Sequence, residues 1–188
     1  MSPHILEVYR RQARNNALCN LRLFRACKAL TPEAYLAPRA SFFGSIHNTL
    51  DHILLVDERY LLRLAGVVPG PARAEGSLYL DLESLREARH RVDREIWDRV
   101  TASTEADLSK PAVLVDDHGQ TVREPRLIVW EHLFHHQVHH RGQVHGLLSQ
   151  TSVAPPQLDE FFLGIDHQRR VADLAELRDL GFSDIAKA

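Results

Sequence analysis

Six of the twelve histidines in this 188-residue chain fall in one stretch, WEHLFHHQVHHRGQVHGLLSQ, Trp130 to Gln150. They are His132, His135, His136, His139, His140 and His145. Imidazole is the side chain that both titrates near neutral pH and ligates metals as a neutral donor. Spacing decides which of these rings can act together. A helix advances about 100° per residue, so positions three and four apart share a face. Val129, Leu133, His136, His140, Gln143 and Leu147 follow steps of four and three. His136 and His140 therefore lie on one stripe with aliphatic residues that favour burial. Two imidazoles at i and i+4 can grip one metal ion. The same spacing also suits polar helix residues hydrogen-bonded at the edge of a core, and both uses stay open on the pair alone.

A pair needs a third ligand, and the segment Phe43 to Ala65 offers one. Ile46, Leu50, Ile53, Tyr60, Leu61 and Leu64 mark its buried side. His52 stands at the edge of that side, in line with Thr49 and Val56. His47 projects from roughly the opposite side. His52, His136 and His140 together make a three-histidine set that leaves coordination positions open, the pattern of catalytic sites. All-nitrogen ligation suits zinc, nickel, copper or iron and does not choose between them. Such a metal lowers the pKa of a water or thiol that joins it. A rival triad of His132, His135 and His139 has a weaker apolar wall, because its stripe carries Ile128, Gly142 and Gly146. His4, His90, His118 and His167 read singly as polar surface or core-edge residues.

Two other chemistries fail early. The helical metalloprotease motif needs Glu directly after the first histidine, and Gln137 follows His136. Cys19 and Cys27, the only cysteines, read as small packing residues on one helix. Eight residues of helix hold them about 12 Å apart, too far for a disulfide.

The elements that must carry these residues are helices. Residues 5–30 form a first helix, with Leu6, Tyr9, Ala13, Ala17, Leu21 and Phe24 at helical spacing. Thr31-Pro32 stops it, and TPEAYLAPRA is a linker. Gly66 ends the second helix, and VVPGPARAEG is a loop. A third helix runs from about Asp81 to Val100 on Leu82, Leu85, Val92, Ile96 and Val100. Its charged run, Arg86, Glu87, Arg89, Arg91, Asp93 and Arg94, reads as a mostly solvated face. PAVLVDDHGQTVREP reads as a short hairpin or extended loop, and Pro125 opens the histidine-rich fourth helix. Beyond Pro155-Pro156 lie the apolar patch Phe161-Phe162-Leu163 and an amphipathic stretch near Val171 to Leu180. The expected fold is all-α, a single four-helix bundle spanning the chain.

Bulk properties bound the partners. Hydrophobic content of 44% and charged content of 26% are ordinary for a globular protein. A net charge of −2 gives no footprint for nucleic acid. No apolar run is long enough for a membrane span, and MSPHILEVYRRQ has no signal-peptide core, so a cytoplasmic location is expected.

FHHQVHHRGQVHGLLSQ resembles the fourth-helix motif of the DinB/YfiT-like proteins, in which a histidine pair precedes Arg-Gly-Gln. FFGSIHNTLDHILLVDERYLLRL, residues 42–64, resembles their second-helix motif with its single metal histidine. The likeness covers residues 5–165 and is looser over YRRQARN in the first helix; the tail beyond Arg169 lies outside it. It implies an up-down-down-up four-helix bundle, a homodimer, and a divalent metal on His52, His136 and His140. Arg141 and Gln143 belong to the motif, Arg141 either bracing the bundle or touching substrate. Asp51 and Glu58, near His52, are given no catalytic role. Related families include bacillithiol-dependent S-transferases and mycothiol-dependent isomerases. The implied function is a metal-dependent enzyme on a small-molecule substrate, with a low-molecular-weight thiol as cosubstrate in S-transfer or detoxification. A hydrolase and a non-catalytic, stress-associated metal-binding protein are the alternatives.

Overall fold

Several of the helices begin where a specific side chain caps the backbone. In the computed structural model, which describes residues 5–70, 78–115 and 118–187, helix α1 spans Ile5–Lys28. A short helix α2, Pro32–Leu36, follows, with the Thr31 side chain accepting from the Ala34 amide and proline in its first turn. Helix α3, Ile46–Leu64, is capped by Ser45, whose hydroxyl accepts from the Asn48 amide. Helix α4, Leu82–Ala102, is capped by Asp81. Helix α5, Glu105–Ser109, opens on a reciprocal capping box between Thr104 and Asp107. Strands β1, Pro111–Val115, and β2, Thr121–Pro125, pair antiparallel with Pro111 opposite Pro125 and Val115 opposite Thr121. Helix α6, Arg126–Leu148, carries the histidine run, and helix α7, Val171–Asp179, follows a 3-10 segment at Gly164–Arg170.

The four long helices α1, α3, α4 and α6 form the bundle, and side-chain pairings fix their directions. Tyr9 packs on Phe134 and Asn16 bonds Arg141, so α1 and α6 run parallel. Arg14 lies over Trp97 and Asn20 bonds Asp93, so α4 is antiparallel to α1. Tyr60 meets His132 while His52 meets His140, so α3 is antiparallel to α6. The order is therefore up-down-down-up, as the resemblance implies. Two consecutive helices pointing the same way require a long connection, and residues 65–81 supply it. Leu18, Leu23, Ile53, Leu54, Leu85, Ile96, Leu133 and Leu148 are fully buried between the helices. Each such side chain contributes about 1.5–3 kcal/mol from burial. Among the described residues no helix is long and apolar enough to cross a membrane.

The structure corrects several sequence expectations. The linker after α1 contains α2, and α5 follows α4; both are single turns too short for an apolar period to show. The second helix starts at Ile46 rather than Phe43, because Gly44 adopts φ +77° and Ser45 takes the extended cap conformation. His47 is buried, with Nδ1 3.0 Å from the Tyr35 hydroxyl of the unanticipated α2. Arg89 and Asp93 do not belong to a solvated face; both are buried. The hairpin and the amphipathic stretch at Val171 stand as expected. Asp117 of the hairpin turn, residues 71–76 of the expected loop, and His4 lie outside the described residues.

Candidate metal centre

His52 sits in the second turn of α3, and His136 and His140 occupy successive turns of α6. Because the two helices run antiparallel, the three rings meet at one level. The Nε2 atoms of His52 and His136 are 3.1 Å apart. Ring centroids are separated by 5.0 Å for His52–His136, 4.7 Å for His52–His140 and 4.3 Å for His136–His140. One ligand nitrogen from each lies within 4.8 Å of the other two, a cluster compatible with a single metal site. The sequence thus named the set of three that the fold brings together. The rival set is not assembled. His132 tilts against Tyr60, while His135 faces a groove shared with Ile5, Val8 and Tyr9 of α1. His145 lines a cavity of about 680 Å³ on another side of α6, with Gln12, Asn15 and Phe161.

The surroundings hold the rings in place and keep them neutral. Phe43 stacks on His52 at 4.1 Å between centroids and meets His140 edge-on at 5.3 Å. The turn at Gly44 delivers it there. Phe42 packs on Phe43 and is otherwise open to solvent. Burial, reinforced by mutual repulsion with His140, pushes His52 down to about 4. Burial and then repulsion from His140 and His52 push His136 down to about 3. Burial also lowers His140, against a hydrogen bond to Gln143 that favours the charged ring. Neutral imidazole is the form that donates a lone pair to a metal. His136 also has a buried Nδ1 with no hydrogen-bond partner among the described residues. Crowded neutral nitrogens with half-buried rings and an aromatic wall fit a divalent cation.

Beneath the rings lies a polar layer that sequence reasoning missed. Arg89 donates to Asp57 at 2.5 Å and stands 3.0 Å from Asp93. Asn16 and Asn20 donate to Asp93 at 3.0 and 2.9 Å. Gln137 donates to Asp57, and Arg141 donates to both Gln137, at 3.0 Å, and Asn16. Burial pushes the Asp57 carboxyl up to about 7, against the pull of Arg89. Arg141 is 4% exposed and spends its guanidinium on α1 and α6, so its role is to brace the bundle. A signal existed: Trp130, Phe134, Gln137, Arg141, Val144 and Leu148 form a second helical stripe with two polar residues inside it. The layer fixes the rotation of α6, since Gln137 and Arg141 directly follow the two histidines.

Comparison with known proteins agrees with this architecture. A family model described as the DinB family matches residues 1–169. No curated protein matches the chain. The crystal structure of a DinB-like protein from Bacillus cereus ATCC 10987 is 19% identical in sequence and superposes with a TM-score of 0.55. The match covers 74% of this chain and 89% of that one. At that identity the likeness concerns the fold.

Proposed function

The chain belongs to the DinB family, and from that premise we propose that it is a metalloenzyme whose divalent ion, zinc or nickel, is held by His52, His136 and His140. We take its reaction to be S-transfer from a low-molecular-weight thiol to a small electrophilic substrate, in the manner of a detoxification enzyme, with the active form a homodimer. The carrying observation is the convergence of three ligand nitrogens from two antiparallel helices within 4.8 Å. Three neutral donors leave the charge of a divalent ion uncompensated, which when the ion is bound lowers the pKa of a thiol at an open position. The chain's own groups do the rest. Phe43 covers one face of His52 and keeps water from it. The layer of Asp57, Arg89 and Gln137 holds α3, α4 and α6 in register below the rings. Phe42, 87% exposed beside Phe43, offers an apolar surface to a substrate.

Elemental analysis of protein purified without a histidine tag tests the first step. About one metal per chain is expected, lost in His52→Ala, His136→Ala and His140→Ala. Incubation of the loaded protein with cellular thiols and a panel of electrophiles tests the second, read as thioether adduct by mass spectrometry. Metal without adduct formation, accompanied by hydrolysis of ester substrates, replaces the transferase reading with a hydrolase. Light scattering in solution reads the oligomeric state, for which a dimer is expected.

A further inference from the structure

Gln143 bridges two rings at the edge of the histidine cluster. His140 Nδ1 lies 2.8 Å from Gln143 Oε1, and Gln143 Nε2 lies 3.2 Å from His139 Nε2. An amide oxygen only accepts and an amide nitrogen only donates, so the two contacts specify the protons. His140 must carry its hydrogen on Nδ1, which leaves Nε2 with a free lone pair. His139 must present Nε2 as an acceptor. Turning the amide over would place its NH2 against His140 Nδ1, force the hydrogen to Nε2, and remove the lone pair from the cluster. In the orientation observed, the NH2 end lies instead against His139 Nε2. The His140 ring is itself packed by Phe43, His52, His136 and His139, so the contact to Gln143 fixes its hydrogen more than its position.

We infer that Gln143 is a positioning residue, which sets the tautomer of His140 so that Nε2 is offered to the metal. This rests on the metal-site reading above and adds to it the group that prepares one ligand. Outer hydrogen-bond partners of ligating histidines typically change metal affinity by about 10- to 100-fold when removed.

The test compares the full-length parent with Gln143→Leu and Gln143→Glu. Leucine keeps the bulk and removes the acceptor; glutamate restores an acceptor for the Nδ1 hydrogen. Zinc affinity is measured by competition with a chromophoric chelator, and melting of the metal-free proteins checks the fold. Nitrogen-15 NMR of the metal-free proteins reads which nitrogen of His140 carries the hydrogen. The expected result is a loss of about 10- to 100-fold for Gln143→Leu, near-parent or tighter binding for Gln143→Glu, and the Nδ1–H tautomer in the parent but not in Gln143→Leu. Failure of the metal reading shows in the parent, which would take up no zinc and bring this inference down with it. Failure of the inference alone shows as equal zinc affinity in the parent and Gln143→Leu, or as a His140 tautomer that the substitution leaves unchanged.

Discussion

His136 is the ring on which the other two converge, with Nε2 3.1 Å from that of His52 and its centroid 4.3 Å from that of His140. A proton and a metal compete for the same lone pair, so the pKa of each ring sets how acidic the solution must be before the metal is displaced. Burial pushes His136 to about 3 and His52 to about 4, and lowers His140 as well. A lowered pKa means the ligand form persists to lower pH, so protonation of His136 and His52 is expected to cost little metal affinity between about pH 7.5 and 5.5. Three ordinary imidazoles with pKa about 6.5 would each lose about tenfold over that range. Zinc competition titrations at the two pH values check this; a steep fall would mean that the rings titrate as if exposed. The buried layer below makes a second prediction at this scale. Arg89→Met leaves Asp57 and Asp93, both essentially unexposed, without their cation. Removing one partner of a buried ion pair costs about 3–5 kcal/mol, which chemical denaturation of the parent and variant would measure.

At the scale of elements, the site depends on how α3 begins. Ser45 is 5% exposed; its hydroxyl accepts from the Asn48 amide, and its carbonyl accepts from the Thr49 hydroxyl at 2.7 Å. Gly44 before it turns the chain with a φ of +77°, and this turn places Phe43 over His52. Ser45→Ala is expected to cost about 1 kcal/mol and to lower the melting temperature by about 2–4 °C in a chain of this size. Gly44→Ala meets no atom within 4 Å, so its cost is conformational alone, about 1–2 kcal/mol for a left-handed residue. Thermal melts of both variants separate the cap from the turn. This element also shows what could be read from sequence. The stripes of α3 and α6 were legible because each long helix repeats its apolar side over five or more turns, and the three histidines lie on or beside those stripes. The apolar spacing starts this helix at Phe43 and so runs past the turn at Gly44 and the cap at Ser45, and the stacking of Phe43 on His52 depends on the path of that loop. Thr31 and the pair Thr104 and Asp107 cap α2 and α5, but single-turn helices carry no period that would mark them in the sequence. The burial of Arg89 was legible in α4, since it continues the stripe of Leu85, Val92 and Ile96 by steps of four and three; what neutralises it and Asp93 was not. Their partners come from α1 and α3, and only the assembled bundle reveals that the charges are matched.

At the scale of the whole molecule, the segment after α6 folds back along α1 and is clamped there by buried charge. Arg22 of α1 donates to Asp173 at 2.7 and 2.9 Å, to Glu160 at 3.0 Å and to the Gln157 carbonyl at 3.0 Å. Its side chain is 6% exposed, and those of Glu160 and Asp173 are 0% and 5% exposed. Arg170 adds a second cation beside Glu160. Leu174, Leu177, Phe182 and Ile185 are buried around this clasp, and Asp184 accepts from Trp97 and Arg94 of α4. The family model ends at residue 169, before α7, so the clasp ties residues beyond the matched region to the bundle. Arg22→Ala would leave two carboxylates with only partial compensation in a dry site, costing about 3–5 kcal/mol. Replacing the pair together, as Arg22→Met with Asp173→Asn, leaves Glu160 with its Arg170 partner and should recover part of that loss. The loss should also be local. The clasp faces α1 and α7, whereas the histidines lie between α3 and α6, on a different side of the bundle. Limited proteolysis of Arg22→Ala is therefore expected to release the C-terminal segment while the remaining bundle retains its metal. Metal lost in step with the tail would mean that the clasp and the histidine cluster unfold as one unit, and that the segment beyond α6 supports the site as well as the bundle.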